Sequence, residues 1–359
     1  MRYRAALDNM EPYVPGKKRA GAIKLSSNEN PLGPSPKAVE AARKSLETLH
    51  FYPDGGATEL RHAVAHRHGL TPEQIIIGNG SDEVLTLAAA AMIEPGDETV
   101  TAEHTFSQYA FATTLYGGSC RRAPMRDGRF DPEALLDKIG EQTKIVFLCN
   151  PNNPTGTYLS ADTLDSFLKA VPADCLVIID EAYADYAVAP DFPRSEELLD
   201  RFDNILVLRT FSKIYGIAGL RVGYGFAREE LIERLGRARQ PFNANSPGQA
   251  AAVAALSDEE HRAASLELNR ASLAFMEGAL GTRGLPYFET QANFLCVDLG
   301  RDAEPIYRKL ADGGITVRAL HSFGLPTMLR ITLGPVEIME QLISLLDAAL
   351  TPERAASSR

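Results

Sequence analysis

Four short, unbroken apolar runs constrain this chain more than any other feature. They are Ile75-Ile76-Ile77, Ile145-Val146-Phe147-Leu148-Cys149, Leu176-Val177-Ile178-Ile179 and Ile205-Leu206-Val207-Leu208. Each has the length and β-branched content of a strand, and stretches of helical period lie between them. A strand apolar at consecutive positions needs cover on both faces, as in a parallel sheet built from βαβ units. The alternation predicts strands over 75–77, 98–102, 145–149, 176–180, 205–209 and 221–226, and helices over 82–93, 106–116, 161–170 and 229–239. Upstream, helices are expected over 36–49 and 55–68, after an irregular Pro-, Gly- and Asn-rich arm over 1–34. Downstream, a helical region over 247–283 leads to a different rhythm: strand 294–298, helix 303–313, strands 315–318 and 328–332, helix 335–350. The expected fold is α/β, a mostly parallel sheet flanked by helices, with a smaller α+β domain. The expected division is 1–45 for the arm and part of the small domain, 46–265 for the large domain and 266–359 for the C-terminal small domain.

Ligands of such sheets bind beyond the carboxyl ends of the strands, and several chemically active residues fall there. Lys213 follows the run 205–208 in Arg209-Thr210-Phe211-Ser212-Lys213-Ile214-Tyr215-Gly216, with Arg221 eight residues on. A desolvated lysine near another cation has a depressed pKa and serves as an amine nucleophile toward a carbonyl. The hydroxyls of Thr210 and Ser212 and the guanidinium of Arg221 suit a phosphate. An amine beside a phosphate site points to a Schiff base with pyridoxal phosphate. Gly78-Asn79-Gly80-Ser81-Asp82-Glu83 links a strand to a helix whose first turn offers free N–H groups to an anion, or simply makes a turn capped by Ser81. Asp180 ends a strand where a carboxylate suits a pyridinium nitrogen, or caps the next segment. Tyr183 can give its phenol to a ring oxygen or pack as an ordinary aromatic. Asn150-Pro151-Asn152-Asn153-Pro154-Thr155-Gly156 makes a dense turn in which Asn153 can donate to a ring oxygen and precede a cis proline. Phe106 suits stacking on a flat ring or a place in the core. Arg330, inside the apolar Met328-Leu329-Arg330-Ile331-Thr332, suits a carboxylate or phosphate, or faces outward from a half-exposed strand.

The net charge of −10 argues against a general nucleic-acid surface. Cys120, Cys149, Cys175 and Cys296 match no zinc or disulfide spacing, so thiols in a reducing compartment are expected. Met1-Arg2-Tyr3-Arg4 leads into no signal-type apolar region, and the apolar stretch 84–93 is too short to span a bilayer. A cytoplasmic protein with no membrane partner is expected. His62, His66 and His68 are expected on a solvated helix face, with no metal.

Taken together and in order, these stretches resemble fold-type I pyridoxal-phosphate aminotransferases, within them the histidinol-phosphate aminotransferases. The matching pieces are Glu11-Pro12-Tyr13-Val14-Pro15-Gly16, Ser27-Asn28-Glu29-Asn30-Pro31-Leu32-Gly33-Pro34-Ser35-Pro36, Tyr52-Pro53-Asp54, residues 78–83, 150–156, Asp180-Glu181-Ala182-Tyr183, residues 209–221 and 329–334. The resemblance implies that Lys213 carries the Schiff base, Asp180 pairs with the pyridine nitrogen, and Tyr183 and Asn153 contact the ring oxygen. Phe106 would stack on the ring, where many relatives have tyrosine. Ser81 and Asp82 amides, with Thr210, Ser212 and Arg221, would hold the phosphate. Tyr52 would reach that phosphate from a second subunit, implying a homodimer. Arg330 would bind the acidic end of the substrate, with Arg318 and Tyr13 as lesser candidates and Asn30 near the same mouth. The implied reaction moves an amino group from a small-molecule donor, histidinol phosphate, to 2-oxoglutarate. Alternatives on the same scaffold are an aromatic amino-acid aminotransferase and a threonine-phosphate decarboxylase. A cofactor-binding regulator is a further alternative, unsupported by any helix-turn-helix segment or basic arm.

Overall fold

The structure is a computed structural model that describes residues 1–10 and 21–351. Tyr13 and the matching piece around it lie outside the described residues. The helices are α1 (Pro36–Ser45), α2 (Thr58–His68), α3 (Ser81–Met92), α4 (Gln108–Leu115), α5 (Pro132–Leu136), α6 (Ala161–Ala170), α7 (Glu229–Ala238), α8 (Ser246–Leu256), α9 (Glu259–Gly281), α10 (Ala303–Asp312) and α11 (Val336–Leu350). The strands begin with β1 (Ile23–Lys24), β2 (Ile75–Gly78), β3 (Glu98–Ala102), β4 (Ser119–Ala123), β5 (Met125–Arg126), β6 (Arg129–Phe130) and β7 (Thr143–Cys149). They continue with β8 (Leu176–Asp180), β9 (Ile205–Thr210), β10 (Gly223–Ala227), β11 (Phe294–Asp298), β12 (Ile315–Thr316), β13 (Arg318–Leu320) and β14 (Leu325–Thr332). None of the described helices is long and apolar enough to cross a membrane.

The predicted apolar runs build the centre of a seven-stranded sheet in the order β2-β10-β9-β8-β7-β3-β4. Ile178 pairs with Phe147 on one side and Leu206 on the other, and all three are fully buried. Helices cover both faces, which is why these strands carry no polar alternation. In α6, for example, Ser160 caps the first turn, and Leu164, Phe167 and Leu168 form the buried stripe that spacings of three and four residues require.

Only β10 runs against its neighbours, pairing antiparallel with both β2 and β9. All the other strands of this sheet therefore end at one rim. That rim receives residues 79–81 after β2, 103–107 after β3, 150–156 after β7, 181–183 after β8 and 211–213 after β9, together with the entry to β10.

A second core lies around α10, α11, β11 and β14, with the C-terminal half of α9 contributing Met276 and Leu280. Leu25 of the arm belongs to it, and β1 pairs in parallel with β12. Ala38 of α1 instead joins the large core, so the chain crosses from one core to the other in the thirteen residue steps from Leu25.

The structure departs from the expected elements in several places. The strand expected at 221–226 begins at Gly223 and is the antiparallel one. The helical region 247–283 breaks into α8 and α9 where Asp258 turns to cap the second helix and accepts from the His261 amide. The helix expected at 36–49 ends at Ser45 and tightens into a 3₁₀ turn, and 315–318 splits into β12 and β13. Edge strand β4 is absent from the expected elements because Ser119, Arg121 and Arg122 are exposed and give no apolar signal.

Ile178→Ala removes a fully buried side chain between two parallel neighbours. It is expected to cost about 2–5 kcal/mol, measured by urea unfolding.

Candidate active site

The rim gathers most of the residues singled out in the sequence. Asp180 is 4% exposed; its Oδ2 accepts from the Tyr109 hydroxyl at 2.8 Å and its Oδ1 from the Ala182 amide at 3.1 Å. Burial raises its pKa to about 6, against the opposing effect of those two bonds. Among the described residues no cation forms an ion pair with it. Nothing local in the sequence marks Tyr109 for this role; it lies three residues after Phe106 and stands edge-on to that ring, at 5.6 Å and 83°. Phe106 is half-buried against the large core.

Lys213 keeps an opening toward the cleft and is otherwise walled in by protein. Its Nζ donates to the Ser27 carbonyl at 3.2 Å and sits 5.4 Å from the centre of the Tyr183 ring. Burial lowers its pKa to about 8, and the nearby Arg330 charge adds to the effect. Tyr183 lies at the seam of the two cores, edge-on to Phe294 at 5.0 Å, and accepts from Asn28 Nδ2 at 3.0 Å. Burial pushes its phenol above the ordinary range.

Arg330 is 6% exposed, which excludes the outward-facing alternative. It donates to Asn153 Oδ1 and, at 2.7 Å, to the Ser26 carbonyl, while its Nε has no partner. No carboxylate pairs with it among the described residues. Asn153, whose peptide bond to Pro154 is cis, keeps Nδ2 free of any described acceptor. A second cis peptide precedes Pro151. Arg318 lies directly across the β13–β14 ladder from Arg330, so two guanidinium groups share this corner.

Arg221 adopts a left-handed conformation with φ of 55°, and the preceding Leu220 carbonyl is held by Asn245 Nδ2 at 2.9 Å. Its guanidinium lies against Gly80, where a Cβ would come within 2.6 Å of Nη2, and reaches Asp82 Oδ2 at 3.3 Å. A Cβ on Gly223 would come within 2.2 Å of the Ser81 nitrogen. These two glycines let β10 and the guanidinium close on the start of α3. Gly80, not Ser81, is the cap residue, and the first-turn amides of Ser81 and Asp82 have no intrahelical acceptor. Thr210 Oγ1 accepts from the Ser212 amide at 3.1 Å at the end of β9, next to the same loop. The result is a cradle that can hold a phosphate.

Two sequence expectations change here. Asn30 does not face the mouth: its Nδ2 donates to the Ile214 carbonyl at 2.7 Å and Ser265 Oγ at 2.8 Å, and its Oδ1 accepts from Leu32. It fastens the arm to the Lys213 loop. His68 is not solvated; its side chain is 7% exposed, bonded to Glu196 and to the Tyr224 hydroxyl at 2.8 Å. That pair joins a buried network in which Glu181, next to Asp180, meets Arg209, next to Thr210, at 2.6 Å. Tyr52 is exposed and stacks on Phe242, with ring centres 4.7 Å apart.

The family described as aminotransferase class I and II matches residues 20–346. The chain belongs to that family. Among curated relatives, it is 46% identical to the histidinol-phosphate aminotransferase of Moorella thermoacetica over 92% of this chain and 88% of the relative. It is 43% identical to histidinol-phosphate aminotransferase 2 of Pseudomonas aeruginosa over 96% of both chains. Among solved structures, the histidinol-phosphate aminotransferase of Sinorhizobium meliloti, in complex with pyridoxal-5'-phosphate, superimposes with a TM-score of 0.90 at 30% identity over 97% of both chains. An aspartate aminotransferase from Thermus thermophilus, at 21% identity and a TM-score of 0.83, shares the fold over 98% of this chain. As an aminotransferase, the chain presents an amine, an acid and an arginine that form no ion pair among the described residues.

With Lys213 near pKa 8, its labelling by an acylating reagent in cofactor-free protein is expected to reach half its maximal rate near pH 8. The sign follows from burial, which disfavours the charged form, so the neutral amine appears earlier as pH rises. Peptide mass spectrometry checks it, and a midpoint near the ordinary lysine value of about 10.4 would contradict it.

Proposed function

We propose that this chain is a pyridoxal 5'-phosphate-dependent aminotransferase that exchanges an amino group between histidinol phosphate and 2-oxoglutarate. The observation that carries the reading is the set of uncompensated charges around the rim. Among the described residues Asp180 forms no ion pair with a cation and Arg330 none with an anion, and the amine of Lys213 rests on a backbone carbonyl. A flat, zwitterionic cofactor with a phosphate tail, followed by a substrate with an acidic end, fits all three. The cradle at Gly80, Ser81 and Arg221 suits the tail. The full-length similarity to histidinol-phosphate aminotransferases supports the choice of donor.

Bound there, pyridoxal phosphate supplies an electrophilic carbonyl for the amino group and an electron sink for the adjacent bond. Asp180 holds a protonated ring nitrogen by charge, while the Tyr109 hydroxyl fixes the carboxylate's direction. Tyr183 and the free Nδ2 of Asn153 donate toward a ring oxygen. Ser81, Asp82, Thr210, Ser212 and Arg221 grip the phosphate, and Phe106 covers one ring face. With a pKa of about 8, Lys213 is neutral for roughly a tenth of the time at pH 7. Its amine would serve first as nucleophile and then, at Nζ, as the base that takes the proton from the amino-bearing carbon of the substrate. Arg330, aided by Arg318, accepts the phosphate end of one substrate and the carboxylate of the other, which its planar fork permits.

The reading includes a homodimer in the cytoplasm. Leu46, Leu49, Phe51, Tyr52 and Phe242 are all exposed, and such a concentration of apolar side chains suits a protein interface. In the dimer Tyr52 completes the phosphate site of the other subunit.

The loaded enzyme is expected to show a visible absorbance band that borohydride bleaches and Lys213→Ala abolishes. Steady-state kcat/KM is expected to be greater for histidinol phosphate than for phenylalanine or tyrosine, with no released carbon dioxide. A preference for an aromatic amino acid, or carbon dioxide release from a phospho-amino acid, replaces this donor with one of the alternatives. Mixing Lys213→Ala with Tyr52→Ala subunits is expected to restore activity above either alone, since each mixed dimer then holds one intact site. Absence of any recovery counts against shared sites.

A further inference from the structure

The arm sequence Ser26-Ser27-Asn28 reaches the rim at the point where both cores meet. Two of its carbonyls are already spoken for, Ser26 by Arg330 and Ser27 by Lys213. Asn28 is 1% exposed and has φ of 57°, a conformation that asparagine tolerates better than most residues. Its bonds leave no freedom in its orientation. The Asn28 amide donates to Thr332 Oγ1 at 2.9 Å, so the Thr332 hydroxyl is free to donate back to Asn28 Oδ1 at 3.2 Å. The Asn28 carbonyl accepts from Asn293 Nδ2 at 3.0 Å. With Oδ1 fixed as the acceptor, Nδ2 must be the atom that faces the Tyr183 oxygen, at 3.0 Å.

A phenol oxygen that accepts one bond turns its own proton elsewhere. The charged and titratable groups around Tyr183 are Asp180, Cys149, Tyr186, Arg330 and Lys213, and among the described residues none accepts that proton. The hydrogen is left for whatever occupies the cleft. Chained bonds also polarise one another, so a phenol that accepts from an amide is a stronger donor.

We propose that Asn28 is a positioning residue that acts through Tyr183, fixing the direction and strength with which that phenol donates into the site. The inference rests on the cofactor reading above. A donor aimed at a ring oxygen favours the more negative protonation state of the bound group and holds its pKa down.

The test is the pH titration of the visible band of the holoenzyme. Asn28→Gly keeps the left-handed backbone accessible and removes the side chain, and with it the Nδ2 donor to Tyr183. It is expected to raise the apparent pKa of the band by about one unit, in the same direction as Tyr183→Phe. In the Tyr183→Phe background, Asn28→Gly is expected to produce no further shift. Asn28→Asp, equal in size, replaces the donor by an acceptor and is expected to raise the pKa in the Tyr183 protein as well. An unchanged pKa in both single variants overturns the proposal, even if melting temperatures fall, as does a full shift from Asn28→Gly that persists without the phenol. A wild-type band that survives Lys213→Ala, or the lack of any band, overturns the cofactor reading and this proposal with it.

Discussion

Three largely enclosed groups of formal charge, Asp180, Lys213 and Arg330, face one rim, and among the described residues none of them forms an ion pair. Isolated charges in a protein interior are strongly disfavoured, and chains retain them where a ligand or a chemical task completes the balance. Asp180, Lys213 and Arg330 are instead held by neutral dipoles: a phenol and an amide for the acid, and one arm carbonyl each for the two cations. Neutral dipoles orient a charge without cancelling it. The sheet topology follows from the same need, since the six strands ending at one rim bring distant segments to a single place.

Much of this was legible in the chain. The central strands could be read because burial on both faces removes polar alternation, as in 145–149 and 176–179. Their ends marked Asp180, Tyr183, Thr210 and Lys213 through simple adjacency. What escaped was set by geometry rather than local pattern. Strand β4 has a polar edge, the direction of β10 leaves no local trace, and β1 is two residues long. Tyr109 and Asn28 matter through partners 71 and 155 residues away, a relation that spacing along one chain does not encode. Asn30 misled for the opposite reason: its neighbours in sequence lie at the site, but its amide turns to Ile214 and Ser265.

The buried network behind β8 and β9 shows how alternate residues divide labour. Asp180 and Thr210 serve the rim, while their neighbours Glu181 and Arg209 turn away and bond to each other. Burial pushes Glu181 up to about 7, and Arg209 and Ser195 work to keep it ionised. The pair fastens the ends of the two strands, so the groups facing the cleft stand on a stiff base. Breaking one member alone would leave the other buried and unmatched, a costlier change than removing both.

The arm has a mechanical meaning as well as a chemical one. Leu25 is bonded to Thr316 and Thr332 in the smaller core, and Asn30 to Ile214 in the larger. Only five residue steps separate the two anchor points, and a fully extended chain of that length spans at most about 18 Å. While both anchors hold, this leash caps how widely the cores can gape.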